Sequence, residues 1–301
     1  MEMDILQKNR LLLIYNPVAG EGAFKENLDT VVHQLQKNGY QVVVHRTSQN
    51  DEIDIILHNY KNCIDTIVAA GGDGTIHKVV NGIFKAGITD IPLGIIPVGT
   101  SNDIANYLGI PTNFIGAIDV IGKRKVERID IGETNGIYFV NVASGGLMTE
   151  VPHTTNVKLK NLTGRLAYYL KGIEKLPNLK PIPVRINCAE QKVEADILLF
   201  IILNGSIAGG FKKLAPAASM VDGKFDVLIF KSVSISKLLS VFVKILRGEH
   251  VGDSSLIYFQ SAGPIEILCE SAIATDIDGE KGPLFPMNIK IHPRILPVFV
   301  N

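Results

Sequence analysis

Cysteine is scarce in this chain of 301 residues: Cys63, Cys188 and Cys269 stand far apart and are odd in number. Without a C-x-x-C pair or a Cys/His cluster they do not support a structural zinc site. They read as small apolar core residues in a reducing compartment. An excess of one charge is also missing, since 30 basic side chains face 30 acidic ones. A nucleic-acid binder normally carries a basic surplus, so that class is set aside. No apolar run reaches the length of a membrane span, and Ile197 to Leu203 is only as long as a strand. Met1 to Arg10 is polar, with Glu2 and Asp4, unlike a signal peptide. A soluble, cytoplasmic protein is expected, with any membrane contact peripheral. Internal repeats and low-complexity stretches are absent as well.

Two common nucleotide signatures are also missing. No G-x-x-x-x-G-K-[ST] occurs, which excludes a P-loop enzyme. Gly20-x-Gly22 follows an apolar run, but Lys25 stands where a dinucleotide fingerprint needs its third glycine. The next run ends in His45-Arg46-Thr47 with no acidic residue to bind a ribose, so a hydride-transfer Rossmann enzyme fits poorly.

What is present suffices for a buried core: 46% of residues are hydrophobic and 20% charged. The length admits two domains or one large one. Apolar runs at Arg10–Tyr15, Tyr40–His45, Ile64–Ala70 and Pro92–Ile96 read as strands. Between the first three lie helical patterns, from Phe24 to Leu35 with Gly39 as its stop, and from Ile53 to Tyr60. Such alternation implies a parallel sheet covered on both faces, with ligands bound beyond the carboxyl ends of its strands. The Asn16–Gly22 loop, Thr47 and the Gly71–Thr75 loop all fall at those ends.

The third of these strands runs into Gly71-Gly72-Asp73-Gly74-Thr75, and helical spacing follows with Ile76, Val79, Val80 and Ile83 on one face. Glycines here are expected to take φ > 0 and bring backbone N–H groups against a ligand. Those groups and the helix dipole favour phosphate. Asp73 would repel phosphate unless a Mg²⁺ sits between them, or unless its task is to order the loop. An ordinary turn with Asp73 as helix N-cap is the plainer alternative. After the fourth strand, Thr100, Ser101, Asn102 and Asp103 are four capping-type residues at one helix start, more than a cap requires.

These residues carry a resemblance. GGDGT resembles the signature of the diacylglycerol kinase catalytic domain, shared more loosely with NAD kinases and phosphofructokinases. Asn16-Pro17-x-Ala19-Gly20 resembles that family's first-strand N-P-x-[SA]-G loop, and the stretch from Pro97 to Ala105 its P-x-G-T-x-N-D-x-A block. The resemblance implies an ATP site drawn from Asn16, Pro17, Ala19, Gly20, Thr47, Gly71, Gly72, Asp73, Gly74, Thr75, Thr100 and Asn102. It also implies a catalytic Mg²⁺ engaged by Asp73. His77 and Lys78 depart from it, because relatives usually carry Asn-Glu there; a histidine on a helix face is read as structural.

Lys123-Arg124-Lys125 marks a composition shift and places a boundary between an α/β domain, 1–125, and a second domain, 126–301. Beyond it short apolar segments recur: Val126–Ile131, Tyr138–Ala143, Ile182–Cys188, Glu194–Leu203, Phe225–Phe230, Ser255–Phe259, Ile265–Leu268 and Ile289–Ile291. Turns such as Asn135-Gly136 join them, which reads as an antiparallel β domain of sandwich type. Helical patterns interrupt it at about 158–176 and 236–246. The first is amphipathic and basic, with Lys158, Lys160, Arg165, Lys171 and Lys175, so it suits either a solvated face or an anionic lipid surface. The resemblance implies a Rossmann-like domain of NAD kinase/phosphofructokinase type and a β-sandwich flanking one cleft, with the last residues returning to the first domain.

Near the C-terminus Thr275-Asp276-Ile277-Asp278-Gly279-Glu280 reads by itself as a solvated hairpin turned at Asp278-Gly279. It also resembles the family's D-G-E block, which makes Glu280 the general base toward a hydroxyl. Asp222-Gly223 resembles a turn that holds a structural Mg²⁺, with Asp222 and the carbonyls of Ser219 and Lys224 as ligands; Val221 stands where some relatives have a further aspartate. Asn204-Gly205-Ser206-x-Ala208-Gly209-Gly210 resembles the family's N-x-x-x-x-G-G turn and is read as turn glycines or a cleft wall. The resulting expectation is an ATP-dependent lipid kinase, acting on diacylglycerol or a related lipid at the membrane surface. The oligomeric state stays open, a homodimer included. An NAD kinase-like phosphotransferase and a non-catalytic nucleotide- or lipid-binding regulator on the same fold are the alternatives.

Overall fold

A computed structural model of the protein describes residues 9–48, 51–146 and 181–301. The basic helix expected at 158–176 lies outside them. Strands β1 (Arg10–Tyr15), β2 (Gln41–Arg46), β3 (Thr66–Gly71) and β4 (Leu93–Pro97) pair in parallel in the order β2-β1-β3-β4. Leu11–Ile14, Ile67–Ala70 and Leu93–Ile96 are buried without interruption, as continuous apolar runs require in a sheet covered on both faces.

The covering helices are α1 (Ala23–Glu26), α2 (Leu28–Lys37), α3 (Ile53–Tyr60), α4 (Asp73–Ala86), α5 (Asp103–Tyr107) and α6 (Phe114–Lys123). The single helix expected from Phe24 breaks at Asn27, which leaves helical geometry and donates its side-chain amide to the Ala23 carbonyl at 2.8 Å. In α4 the stripe Ile76, Val79, Val80 and Ile83 is buried, and Gly87 at φ +67° ends the helix with its N–H on the Ile83 and Phe84 carbonyls. Helix α6 starts on a conventional cap, Asn113 Oδ1 accepting the Gly116 N–H at 2.7 Å. Its Ile121 packs onto β4 so closely that a Cβ on Gly94 would lie 2.9 Å from Ile121 Cδ1.

The second half is antiparallel: β5 (Val126–Thr134), β6 (Ile137–Phe139), β7 (Val142–Gly146), β8 (Ile182–Asn187), β9 (Lys192–Leu203), β10 (Phe225–Lys231), β11 (Leu256–Ser261), β12 (Ile265–Cys269), β13 (Thr275–Ile277), β14 (Glu280–Lys281) and β15 (Met287–Phe299). Among the described residues of this half one helix, α7 (Ile235–Arg247), stands between β10 and β11 on a Ser234 cap. Inward residues alternate along β8, where Ile182, Val184 and Ile186 are buried. With residues of β9, β10, β12 and β15 they close a second core. The main path runs β14-β13-β7-β9-β8-β12-β15-β4, so β15 links the two halves. It pairs with β5, shifts register between His292 and Leu296, and sets Val298 parallel to Leu93 of β4.

Two expectations need correction. The run Tyr138–Ala143 is not one strand, because Val140 and Asn141 interrupt it and turn their N–H groups onto a side chain from the far end of the chain. The cysteines are not core residues: Cys63 is exposed and Cys188 and Cys269 are half-buried. The thiols of Cys63 and Cys188 bond turn carbonyls of Tyr60 and Gln191 at 3.2 and 3.1 Å, so local turns rather than the core accommodate them. No helix among the described residues is long and apolar enough to cross a membrane.

Candidate active site

Three loops meet beyond the carboxyl ends of β1, β3 and β4, the place where open α/β sheets bind ligands. After β1, the Asn16 N–H bonds the Ala70 carbonyl at 3.0 Å and its Oδ1 accepts the Val18 N–H at 3.0 Å. Ala19 closes the turn on the Asn16 carbonyl at 3.2 Å. Gly20 sits at φ +59° against the loop after β4; a Cβ there would lie 2.6 Å from the Val98 carbonyl oxygen. That loop is held to β3 in turn, the Val98 N–H donating to the Gly71 carbonyl at 2.8 Å. Thr47, just past β2, donates its N–H to Tyr15 at 2.9 Å, at the same rim. The Asn16–Gly20, Gly71–Thr75 and Thr100–Asn102 candidates are therefore gathered at one edge.

The glycines serve closeness rather than left-handed geometry. Gly71, Gly72 and Gly74 all avoid positive φ, and Gly72 is extended at φ −88°, ψ −175°. A Cβ on Gly71 would lie 2.3 Å from Thr75 Oγ1, and one on Gly99 would lie 2.6 Å from Gly72 Cα. Asp73 is no N-cap, since Gly72 takes that position without a side-chain bond. Asp73 Oδ1 instead accepts the Ile104 N–H at 3.3 Å, which ties the start of α4 to the start of α5. Burial raises the Asp73 pKa and the charge of Asp278 adds to the rise, while the Ile104 and Asp103 amides oppose it.

Within Thr100–Asp103, Asn102 and Asp103 likewise make ties rather than a cap. Asn102, at φ +49°, accepts the Gly99 N–H and donates back to the Gly99 carbonyl, both at 2.8 Å, and makes no capping bond to α5. Its amide is thus committed to the loop. The Asp103 carboxylate reaches across to the Gly210 N–H at 3.2 and 3.3 Å. Gly209 and Gly210 are at φ +59° and +79°, turn glycines in the segment after β9.

Glu280 arrives from the opposite side. Asp278 and Gly279, at φ +52° and +88°, form the tight turn that joins β13 to β14. This delivers the exposed Glu280 side chain onto the α4 N-terminus, where a Cβ on Gly74 would be 2.8 Å from Glu280 Oε1. The turn is not solvated at Asp278. That side chain is 1% exposed and accepts the N–H groups of Val140, Asn141 and Val142 at 2.8, 2.9 and 2.9 Å. His77 Nδ1 lies 3.4 Å from its Oδ2, although the two residues are 201 apart in the chain. In the sequence His77 showed only as a departure on a helix face and Asp278 only as half of an Asp-Gly turn pair, and neither signal announces what the carboxylate meets.

The carried-over metal ligands Ser219, Asp222 and Lys224 lie in the turn before β10. Asp222 Oδ1 accepts the Lys224 N–H at 3.0 Å, and Asp130, fully buried, accepts from Gly223 and Arg294 at 2.7 Å each. Burial raises the pKa of Asp130 and of Asp226, and the Asp222 charge raises both further. No group of three or more His, Cys, Asp or Glu side chains is placed to hold a metal among the described residues. The expected ligands, one carboxylate with backbone carbonyls, are hard oxygens of the kind that suit Mg²⁺ or Ca²⁺.

Comparison with known proteins bears on the family and the fold. Residues 10–134 match the model of the diacylglycerol kinase catalytic domain, and residues 141–300 that of the YegS C-terminal NAD kinase beta sandwich-like domain. The diacylglycerol kinase of Bacillus subtilis (strain 168) is 40% identical over 293 residues, covering 95% of this chain and 96% of its own. That of Staphylococcus aureus (strain JH9) is 38% identical over 299 residues, covering 97% and 92%. A solved structure from Bacillus anthracis str. Sterne superposes with a TM-score of 0.83 at 28% identity, covering 97% of this chain and 95% of its own. A diacylglycerol kinase crystal structure from the same strain gives 0.74 at 25%, covering 97% of each chain. With its α/β half, its β-sandwich-like half and this similarity along nearly its whole length, the chain belongs to the diacylglycerol kinase family of lipid kinases.

Proposed function

We propose that this enzyme transfers the γ-phosphoryl group of Mg·ATP to a hydroxyl of diacylglycerol or a closely related lipid, presented at a membrane surface. The observation that carries the reading is the Glu280 carboxylate set against Gly74 at the N-terminus of α4. Helix α4, 14 residues long, directs its dipole and first-turn amides at this gap, which favours the phosphate chain. The mutual contact of Gly72 and Gly99 lets the two loops pack directly against each other, with no Cβ between them. Asp73 is suited to hold the cation, because a positive charge would offset the burial and the Asp278 repulsion that raise its pKa. Mg²⁺, when bound, supplies charge neutralisation along the phosphate oxygens. The tie from Asp73 to Ile104 keeps both loops in place while the ligand enters.

Glu280 acts as general base toward the lipid hydroxyl. As the hydroxyl oxygen bonds to the γ-phosphorus, its proton passes to Glu280 and the bond to the bridging oxygen of the departing ADP breaks. Exposure of Glu280 leaves it open to a hydroxyl arriving from outside the protein. The Ser219–Lys224 turn is the proposed seat of a second, structural Mg²⁺, supported by the negative field that Asp222 exerts on Asp130 and Asp226.

Purified protein with γ-labelled ATP and Mg²⁺ tests the reading when lipid micelles and NAD are offered separately. Label is expected in diacylglycerol or another glycerolipid. Label in NAD alone, or tight ATP binding with no transfer to any lipid, overturns it.

A further inference from the structure

The histidine that breaks the family pattern at position 77 is built into the site. Its side chain is 10% exposed and stands between two partners. Nδ1 faces Asp278 Oδ2 at 3.4 Å, and Nε2 faces Asn81 Nδ2 at 3.4 Å. Asn81 cannot be turned round, because its Nδ2 donates to the Tyr138 carbonyl at 2.8 Å while its Oδ1 accepts the Tyr138 N–H at 2.9 Å. Its second Nδ2 hydrogen goes to the His77 carbonyl at 2.9 Å, so the amide holds the His77 backbone and leaves no donor for Nε2. Nδ1 faces a carboxylate that already acts as acceptor to three backbone amides, which sets the imidazole proton on Nδ1, aimed at Asp278.

Asp278 has further partners, the backbone amides of Val140, Asn141 and Val142, from the end of β6 into the start of β7. Those amides hold the hairpin to the β-sandwich-like half of the chain. His77 supplies a side-chain tie in the other direction, to α4, the helix that begins with Asp73 and Gly74. Two residues beyond Asp278 comes Glu280, whose carboxylate rests against Gly74. We infer that His77 is a positioning residue: its Nδ1–H, facing the Asp278 carboxylate, fixes the Asp278–Glu280 hairpin over the α4 N-terminus and so sets where the Glu280 carboxylate stands. The kinetic side of the inference rests on Glu280 as general base; the placement of the hairpin does not.

Three substitutions separate the donor from the bulk of the ring. His77→Phe keeps a planar ring without a donor. His77→Asn puts an amide nitrogen close to where Nδ1 stands. His77→Gln carries its amide one carbon further, near the place of Nε2. In lipid phosphorylation, His77→Phe is expected to lose about 10- to 100-fold in kcat, the scale of a small misplacement of a reacting group, with KM for Mg·ATP within about twofold. His77→Asn should recover most of that kcat and His77→Gln should not. In parallel, amide hydrogen exchange over 278–281 should quicken about tenfold or more in His77→Phe and return toward the parent rate in His77→Asn. Unchanged exchange across the hairpin in a folded His77→Phe protein overturns the inference, as does an Asn variant no better than Phe in both readouts. Glu280→Gln, assayed beside them, isolates the base assignment. If it retains full activity the base reading fails, and the exchange arm still decides whether His77 holds the hairpin.

Discussion

Gly74→Ala is the substitution that separates folding from chemistry at this site. Gly74 lies in the first turn of α4 and avoids positive φ, so alanine suits its backbone and gains up to about 1 kcal/mol of helix preference. The added methyl would, however, stand 2.8 Å from Glu280 Oε1, where ordinary contact begins near 3.4 Å. A carboxylate at the end of an exposed, flexible side chain can give way, so the protein should fold normally. The yielding atom is the proposed base, and it must retreat by about 0.6 Å from its place over the gap. Displacement on this scale costs about 10- to 100-fold in rate when the group must meet a reacting atom. The expected result is a thermal midpoint equal to or above the parent's, ATP binding within about threefold, and kcat for lipid phosphorylation reduced by that factor. Circular dichroism melting, ATP titration and the labelled-ATP assay measure the three quantities. A well-folded Gly74→Ala enzyme with parental kcat would refute the placement of Glu280 as base.

Other perturbations follow from the same geometry. Asp278→Asn exchanges a buried acceptor of three amide bonds for a group that is half donor, and should cost about 2–4 kcal/mol in urea unfolding together with most of the activity. Burial holds the Asp73 pKa above the usual carboxylate range, so the anion needed for a cation is lost on acidification sooner than for an ordinary aspartate. The acidic limb of kcat/KM against pH should therefore move to lower pH as Mg²⁺ is raised, and a limb indifferent to Mg²⁺ would contradict this role for Asp73. Asn113→Ala removes the α6 cap and should cost about 1 kcal/mol by denaturant titration.

The first half of the fold was legible because burial on both faces leaves unbroken apolar strands such as Leu11–Ile14 and a clear stripe on α4. The Asn135-Gly136 and Asp278-Gly279 turns were legible for a similar reason, since their left-handed backbones select those residues. What stayed hidden depended on distant partners. The break at Val140–Asn141 is made by the Asp278 carboxylate, and nothing in the Tyr138–Ala143 run announces an acceptor so far along the chain. The glycines of GGDGT promised left-handed turns, yet their reason is the pressure of Thr75, Gly99 and Glu280 against the backbone. The polar cluster at Thr100–Asp103 was visible as an excess, but only packing reveals that Asn102 closes its own loop while Asp103 reaches the segment after β9.

Transfer of γ-labelled phosphate to diacylglycerol by wild type and Glu280→Gln, side by side at saturating Mg·ATP, tests the central claim most directly. The account predicts robust labelling by wild type and a loss of at least about 100-fold in the variant, with ATP binding and melting temperature preserved. Equal labelling by the two proteins, or none by wild type with any lipid hydroxyl, would contradict it.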